Sequence, residues 1–98
     1  MHQAVLAQAV LDKAVERAQS LGAARIIAVH VLLGEEDEHT EDALRFAWGE
    51  VTMGTCADGA EFLVEMTPGD GLRLAAMDVE RNQPETDKRP TEEEGAIG

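Results

Sequence analysis

Hydrophobic residues recur at spacings of three and four in the first part of the chain, with charged and amide side chains between them. This period predicts an amphipathic helix over residues 3–21, and Gly22 follows it in the position where glycine commonly ends a helix. The side chains expected to face the core are Ala4, Ala7, Leu11, Ala14, Ala18 and Leu21.

A second helix is predicted over residues 41–53. Thr40 is its expected N-cap, Glu41 and Asp42 suit the positive end of its dipole, and Gly54 is expected to end it. The side chains expected to face inward are Leu44, Ala47, Trp48 and Val51, and Phe46 is also expected in the core. Between the first strand and this helix, the acidic residues 35–40 are expected to form a loop.

Residues 25–33 are apolar at both alternating sets of positions, which predicts a strand covered on at least one face. One set is the better core face, and it comprises Ile27, Val29, Val31 and Leu33. The other set comprises Ile26, Ala28, His30 and Leu32, and an open face of this composition favours a partner or self-association.

Two more strands are predicted over residues 60–67 and 72–80. Only Pro68-Gly69-Asp70-Gly71 separates them, and this turn chemistry favours an antiparallel hairpin. The element order is therefore α-β-α-β-β. The predicted fold class is α+β, a small mixed three-stranded sheet with two helices on one face, because that arrangement buries the apolar stripes.

The charge balance limits the classes of partner that the protein is expected to bind. Twenty Asp and Glu against eight Lys and Arg give a formal net charge of −12, which argues against nucleic acid and against an anionic membrane surface. We expect residues 1–80 to form the domain and residues 81–98 to form a disordered acidic tail, since that segment is polar and holds Pro84, Pro90 and three consecutive glutamates.

Cys56 is the single cysteine, which excludes an internal disulfide and a four-thiolate zinc site within this sequence. A lone thiol and the lack of a visible targeting signal or membrane span favour a cytoplasmic protein. Nothing indicates catalysis, since there is no Gly-rich phosphate loop and no paired nucleophile and base, so a non-enzyme is predicted.

The start of the chain carries the most specific chemistry. The Met1 amine, a backbone amide nitrogen and the His2 imidazole lie within two residues of each other, which predicts a nitrogen chelate suited to square-planar Ni(II) or Cu(II). His39, among carboxylates, is a second candidate ligand, and the alternative is a solvated loop histidine. His30, inside a strand, is expected to be structural or at an interface.

Several segments together resemble the HypA/HybF family of hydrogenase-maturation nickel metallochaperones. The similar segments follow one another in the family's order over about residues 1–68. They are Met1-His2, Leu21-Gly22-Ala23, Leu33-Gly34-Glu35, Ala43-Leu44-Arg45-Phe46-Ala47-Trp48, Gly54-Thr55, Gly59-Ala60-Glu61 and Pro68. The family normally follows Pro68 with a zinc module built on two CxxC pairs, whereas this chain continues directly to Gly71-Leu72-Arg73-Leu74.

The resemblance implies a labile Ni(II) site at Met1, His2 and the Gln3 backbone, without structural zinc. It implies a GTPase nickel chaperone and a [NiFe]-hydrogenase large-subunit precursor as partners. Two departures matter: Gln3 stands where the family usually has Glu, and Thr40 where it often has Asp. The alternative is a paralogue acting as a metal-independent adaptor or structural subunit, and a homo-oligomer is compatible with either function.

Overall fold

The computed structural model describes residues 2–81, without the side chain of His2. Its elements are helix α1 (His2–Ser20), strand β1 (Ala23–Gly34), a 3-10 helix (Glu35–Thr40), helix α2 (Glu41–Val51), strand β2 (Glu61–Thr67) and strand β3 (Leu72–Arg81). Met1 and residues 82–98 lie outside the described part. That part therefore includes only Arg81 of the predicted acidic tail.

The predicted fold class is confirmed: two helices pack on one face of a mixed three-stranded sheet, in the predicted order. The two α-helices nearly match their predicted ranges, although α2 ends at Val51, two residues early. Gly22 directly follows the last turn of α1 with φ of 68°, the left-handed conformation that glycine adopts without steric cost.

The order of the strands differs from the prediction. The order is β2-β1-β3, with β2 parallel to β1 and β3 antiparallel to it, so the predicted hairpin between the second and third strands is wrong. Turn residues at 68–71 predict a chain reversal but not which strands are neighbours. The most apolar strand, β1, takes the centre, where both of its edges find hydrogen-bonding partners.

The turn at residues 68–71 instead crosses over the end of β1, from one edge strand to the other. Its backbone carbonyls accept hydrogen bonds from Gly34 and Glu36, with N–O distances of 2.8 Å to Gly71 and 2.9 Å to Gly69. A Cβ atom at Gly34 would lie 2.3 Å from the Cα atom of Asp70. The crossing is therefore possible only because position 34 has no side chain.

The two faces of β1 also differ from the prediction over residues 26–28, where Ile26 and Ala28 are buried although both were expected on the other face. Ile26 is fully buried, whereas Ile27 is 42% exposed, so the predicted inward position of Ile27 is wrong. The register against β3 shifts between Ile26 and Ala28. This irregularity reverses the alternation of side chains before Val29, whereas Val29, Val31 and Leu33 point into the core as predicted.

Helix α2 is held by Trp48 at the centre of its buried face. The indole Nε1 donates to the carbonyl of Ala60 at 3.0 Å, and the ring centroid lies 5.3 Å from that of Phe62. Leu44 and Ala47 are buried beside it as predicted, and Val51 is half-buried. Phe46 is 70% exposed, so its predicted place in the core is wrong.

Three smaller predictions are also wrong. Residues 35–40 form a 3-10 helix rather than a loop, so α2 is entered from helical backbone. Thr40 makes no capping bond to α2 because its hydroxyl donates instead to the Asp37 carbonyl at 2.7 Å. Ala4 and Leu21, expected on the buried stripe of α1, are exposed.

Within residues 2–81, neither helix combines the length and the apolar character that a membrane-crossing helix requires.

Candidate metal-binding end of the protein

Helix α1 begins at His2, so the backbone nitrogens of the predicted chelate belong to its first turn. The first N–H groups of a helix have no carbonyl partner within the helix. The positive end of the helix dipole also favours negative charge there and disfavours a protonated amine. Gln3 is half-buried. Met1 and the His2 side chain lie outside the part of the chain that the structure describes.

The acidic 3-10 helix packs beside the start of α1. Leu6, one turn into α1, lines a small cavity of about 100 Å³ together with Asp37 and Thr40 of the 3-10 helix and with Leu72. The start of α1, the end of β1 and the start of β3 therefore meet at one end of the molecule. The fold brings the first turn of α1, which contains the backbone of His2 and Gln3, and the 3-10 helix that carries His39 to that same end.

Asp37 fixes this end of the protein by linking two segments. Its carboxylate Oδ2 accepts a hydrogen bond of 2.7 Å from the backbone N–H of Gly71, and its carbonyl accepts the Thr40 hydroxyl. A charged acceptor makes such a bond stronger than a neutral one. Asp37 thus has a positioning role that sequence reasoning missed, because its partner lies 34 residues along the chain.

The side chains around this end are strongly anionic. Glu35, Glu36, Asp37 and Glu38 occupy the 3-10 helix, and Glu41 and Asp42 the first turn of α2. Glu41 is partly neutralised by Arg45, whose Nη2 lies 2.9 Å from its carboxylate. Such a concentration of negative charge attracts cations to the region.

His39 is exposed on the 3-10 helix. Among the side chains described within residues 2–81, no three His, Cys, Asp or Glu side chains are grouped so as to hold a metal ion. The arrangement offers a cation an anionic surface rather than a preformed cage. A ligand role for His39 stays a prediction.

The other histidine and the cysteine lie away from this end. His30 is on the open face of the sheet, where its Nε2 lies 3.2 Å from Oδ2 of Asp78 on the neighbouring strand. Cys56 is half-buried in the connection after α2, and its backbone carbonyl accepts a hydrogen bond from the Ile26 N–H at 2.9 Å. Neither residue is placed to join the predicted chelate.

A second feature that sequence reasoning missed is a groove between α1 and β3. Lys13, Arg17 and Arg73 lie along it, beside Leu6, Leu72 and Leu74, and its volume is about 260 Å³. The pair Lys13 and Arg17, spaced by one helical turn, was the available signal in the sequence. The proximity of Arg73 was not predictable, since it depends on β3 lying at the edge beside α1.

Comparison with known proteins identifies the family to which this chain belongs. Residues 1–73 match the family described as "Hydrogenase/urease nickel incorporation, metallochaperone, hypA". The match includes both helices, the first two strands and the turn that crosses β1. The class is therefore that of nickel-incorporation metallochaperones, and the chain belongs to the HypA family.

Individual relatives agree with this membership. The chain is 43% identical over 65 residues to the hydrogenase maturation factor HypA of Pyrococcus furiosus, an alignment that covers 66% of this chain and 47% of the relative. It is 30% identical over 71 residues to the protein of the same name from Chlorobaculum tepidum, covering 72% and 63%. The chain thus spans about half the length of the Pyrococcus relative.

Family membership confirms two predictions made from the sequence, the HypA/HybF resemblance and the assignment as a non-enzyme, because the family is one of metallochaperones. The single cysteine also means that these 98 residues hold no CxxC pair.

Proposed function

We propose that this protein carries Ni(II) for the maturation of a nickel enzyme and binds it through the Met1 amine, the His2 imidazole and backbone nitrogens of His2 and Gln3. The observation that carries the proposal is the position of His2 at the first residue of α1, in a chain of the HypA family. The proposal takes Met1 as the first residue of the protein in the cell.

The helix start supports this chemistry in two ways. The backbone N–H groups there are not committed to intrahelical hydrogen bonds, so a metal ion that displaces their protons into solvent breaks no hydrogen bond of the helix. Two deprotonated amides would also neutralise the double positive charge of Ni(II), which the positive end of the helix dipole would otherwise repel. A side-chain carboxylate at position 3 is not needed for any of these bonds, so Gln3 is compatible with the site.

The anionic surface beside α1 supports capture and release. Carboxylates on the 3-10 helix raise the local concentration of cations without forming a closed site. Such an open surface suits a carrier, because it concentrates cations beside the proposed chelate without holding them there. His39 on the same surface is proposed as a transient ligand during transfer.

The recipient and partners follow from the family. We propose a [NiFe]-hydrogenase large-subunit precursor as recipient and a GTPase nickel chaperone as partner, in the cytoplasm. We further propose that residues 1–80 act without structural zinc. The names of the relatives, hydrogenase maturation factors, support the hydrogenase over urease.

The test is a titration with Ni(II), monitored by calorimetry and by absorption spectroscopy, on protein that begins with its native Met1. We expect one-to-one binding, a square-planar spectrum and release of protons, with binding weakening as the pH falls, because the ligands must be deprotonated. The His2→Ala variant should lose this binding, and one extra residue before Met1 should weaken it strongly.

The His39→Ala and His30→Ala variants are the matched controls, since each removes one imidazole and leaves Met1-His2 intact. Retention of the square-planar spectrum in both is expected. Binding that survives His2→Ala or the N-terminal extension would overturn the proposed coordination.

A second candidate function is a metal-independent protein adaptor, and the open face of the sheet favours it. Ile27 is 42% exposed and Leu63 39% exposed on the sheet face opposite the one that the helices within residues 2–81 cover. Absence of Ni(II) binding, together with capture of a partner that is lost on Leu63→Asp substitution, would favour the adaptor over the carrier.

A further inference from the structure

Among the described residues 2–81, positive charge is concentrated in the groove between α1 and β3. Residues 2–81 contain six Lys and Arg, and three of them, Lys13, Arg17 and Arg73, line this groove. Among the described residues, none of the three lies within 4 Å of a carboxylate oxygen, whereas Arg25 and Arg45 each have such a partner. The groove thus presents cations that are not neutralised by the described part of the chain.

The groove has a polar and an apolar part, and their order is fixed by the helix. Going back along α1 from its last turn, Arg17 comes first, then Lys13, and then Leu6, which lies beside Leu72 of β3. The walls near Leu6 are leucine side chains, and Leu6 itself is 40% exposed. An occupant running in this direction would need negative charge first and an apolar residue afterwards.

The sequence that follows β3 has this order. Residues 82–98 contain Glu92-Glu93-Glu94 and then Ala96-Ile97. We propose that residues 92–97 of this chain bind in the groove, with the three glutamates against Lys13 and Arg17 and with Ile97 against the exposed part of Leu6.

The point at which the chain leaves the sheet makes this possible. Nη1 of Arg81, the last residue of β3, donates to the carbonyl of Leu21 at 3.3 Å, so the chain leaves β3 next to the last turn of α1. From that turn to the level of Leu6, the helix rises about 22 Å. The eleven residues from Arg81 to Glu92 span up to about 36 Å when extended, so the segment reaches the groove.

Attachment to the same chain favours this occupant over a separate acidic peptide. A flexible linker of this length gives an effective concentration in the millimolar range, so weak ionic and apolar contacts suffice for occupancy. The bound segment would shield the groove from other acidic partners while leaving the start of α1 free.

Amide NMR spectra of the full chain test the proposal. The Glu92→Gln, Glu93→Gln, Glu94→Gln triple variant should shift the amide signals of Lys13, Arg73 and Leu74 and leave that of Phe46 on α2 unchanged. Raising the salt concentration from about 0.05 M to about 0.5 M should produce the same shifts, because the Debye length falls to a few ångströms.

The matched control is Glu35→Gln, Glu36→Gln, Glu38→Gln, which makes the same change in net charge on the 3-10 helix. We expect it to leave the groove signals in place. Equal shifts in both triple variants, or none in either, would overturn the proposal.

A spin label locates the segment directly. In a Cys56→Ser, Ala96→Cys chain, a label at position 96 should broaden the amides of Leu6, Lys13 and Leu74 and spare those of α2. Broadening that appears only when labelled and isotope-enriched chains are mixed would mean that another copy supplies the segment, which overturns binding within one chain. Uniform or absent broadening would overturn it as well.

Discussion

The two faces of the central strand have opposite environments although their sequences are similar. On the face under the helices, Ile26, Val29 and Val31 are at most 1% exposed. On the other face, Ile27 is 42% exposed, and His30 pairs with Asp78 in contact with water. Apolar composition alone therefore does not identify the buried face of β1, and the helices decide it.

The difference between Ile26 and Ile27 shows that an irregularity in strand register can decide which of two neighbouring side chains is buried. A register shift between Ile26 and Ala28 places the first isoleucine inside and the second outside, against the simple alternation. Beyond the shift, the alternation of Val29, Val31 and Leu33 is regular. The energetic contrast between the faces can be measured because the two isoleucines are adjacent and chemically identical.

Ile26→Ala should have the largest effect, a loss of about 2–5 kcal/mol in the free energy of unfolding, because it leaves a cavity under the helices. Ile27→Ala is the matched control, and we expect it to cost less than about 1 kcal/mol. Urea unfolding followed by the fluorescence of Trp48, the only tryptophan, gives both values. Equal losses in the two variants would mean that the faces are not assigned as described.

Gly34→Ala should cost about 1–3 kcal/mol, because the new methyl group would meet the backbone of the turn that crosses β1. Neither face of the sheet is altered by this change, so it separates the strand crossing from face burial. Gly49→Ala on α2 is the control. No atom lies within 4 Å of a Cβ atom there, and the gain in helix propensity should stabilise the protein by about 0.5–1 kcal/mol.

Thermal unfolding of the two glycine variants gives the comparison. A Gly34→Ala protein as stable as the parent would show that the turn does not pass as close to β1 as the structure places it.

Asp78→Asn should have the smallest effect, below about 1 kcal/mol, since the pair with His30 lies on the open face and both side chains are largely exposed. The difference from the parent should shrink as salt is added, because exposed charges are screened. Unfolding at low and high salt measures it. A loss above about 2 kcal/mol would mean that the open face is covered, for example by a second copy of the chain.

Features that depend on near neighbours in sequence were predictable. The spacing of apolar residues predicts the buried faces of α1 and α2. Gly22 follows α1 in the left-handed conformation that commonly ends a helix. The predictions of a loop at residues 35–40 and of a cap at Thr40 are wrong. The Thr40 hydroxyl donates to the Asp37 carbonyl instead of capping α2. Phe46 is predicted in the core from its spacing relative to Trp48, but it lies on the exposed side of α2.

The candidate ligands could be predicted from the sequence, whereas the residues that surround the start of α1 depend on the fold. Met1, His2 and Gln3 are adjacent in the chain, so a chelate among them needs no tertiary structure. The proximity of the acidic 3-10 helix to α1 needs the packing of both on the sheet.

The sequence by itself determined the elements, their order, the fold class and the family resemblance, because helical and strand periods and turn residues act over a few positions. Only the tertiary structure decided that β1 lies between β2 and β3, that Ile26 rather than Ile27 is buried, and that Lys13, Arg17 and Arg73 share a groove. Strand order is set by competition among pairings of the whole chain, in which the most apolar strand gains most from the centre.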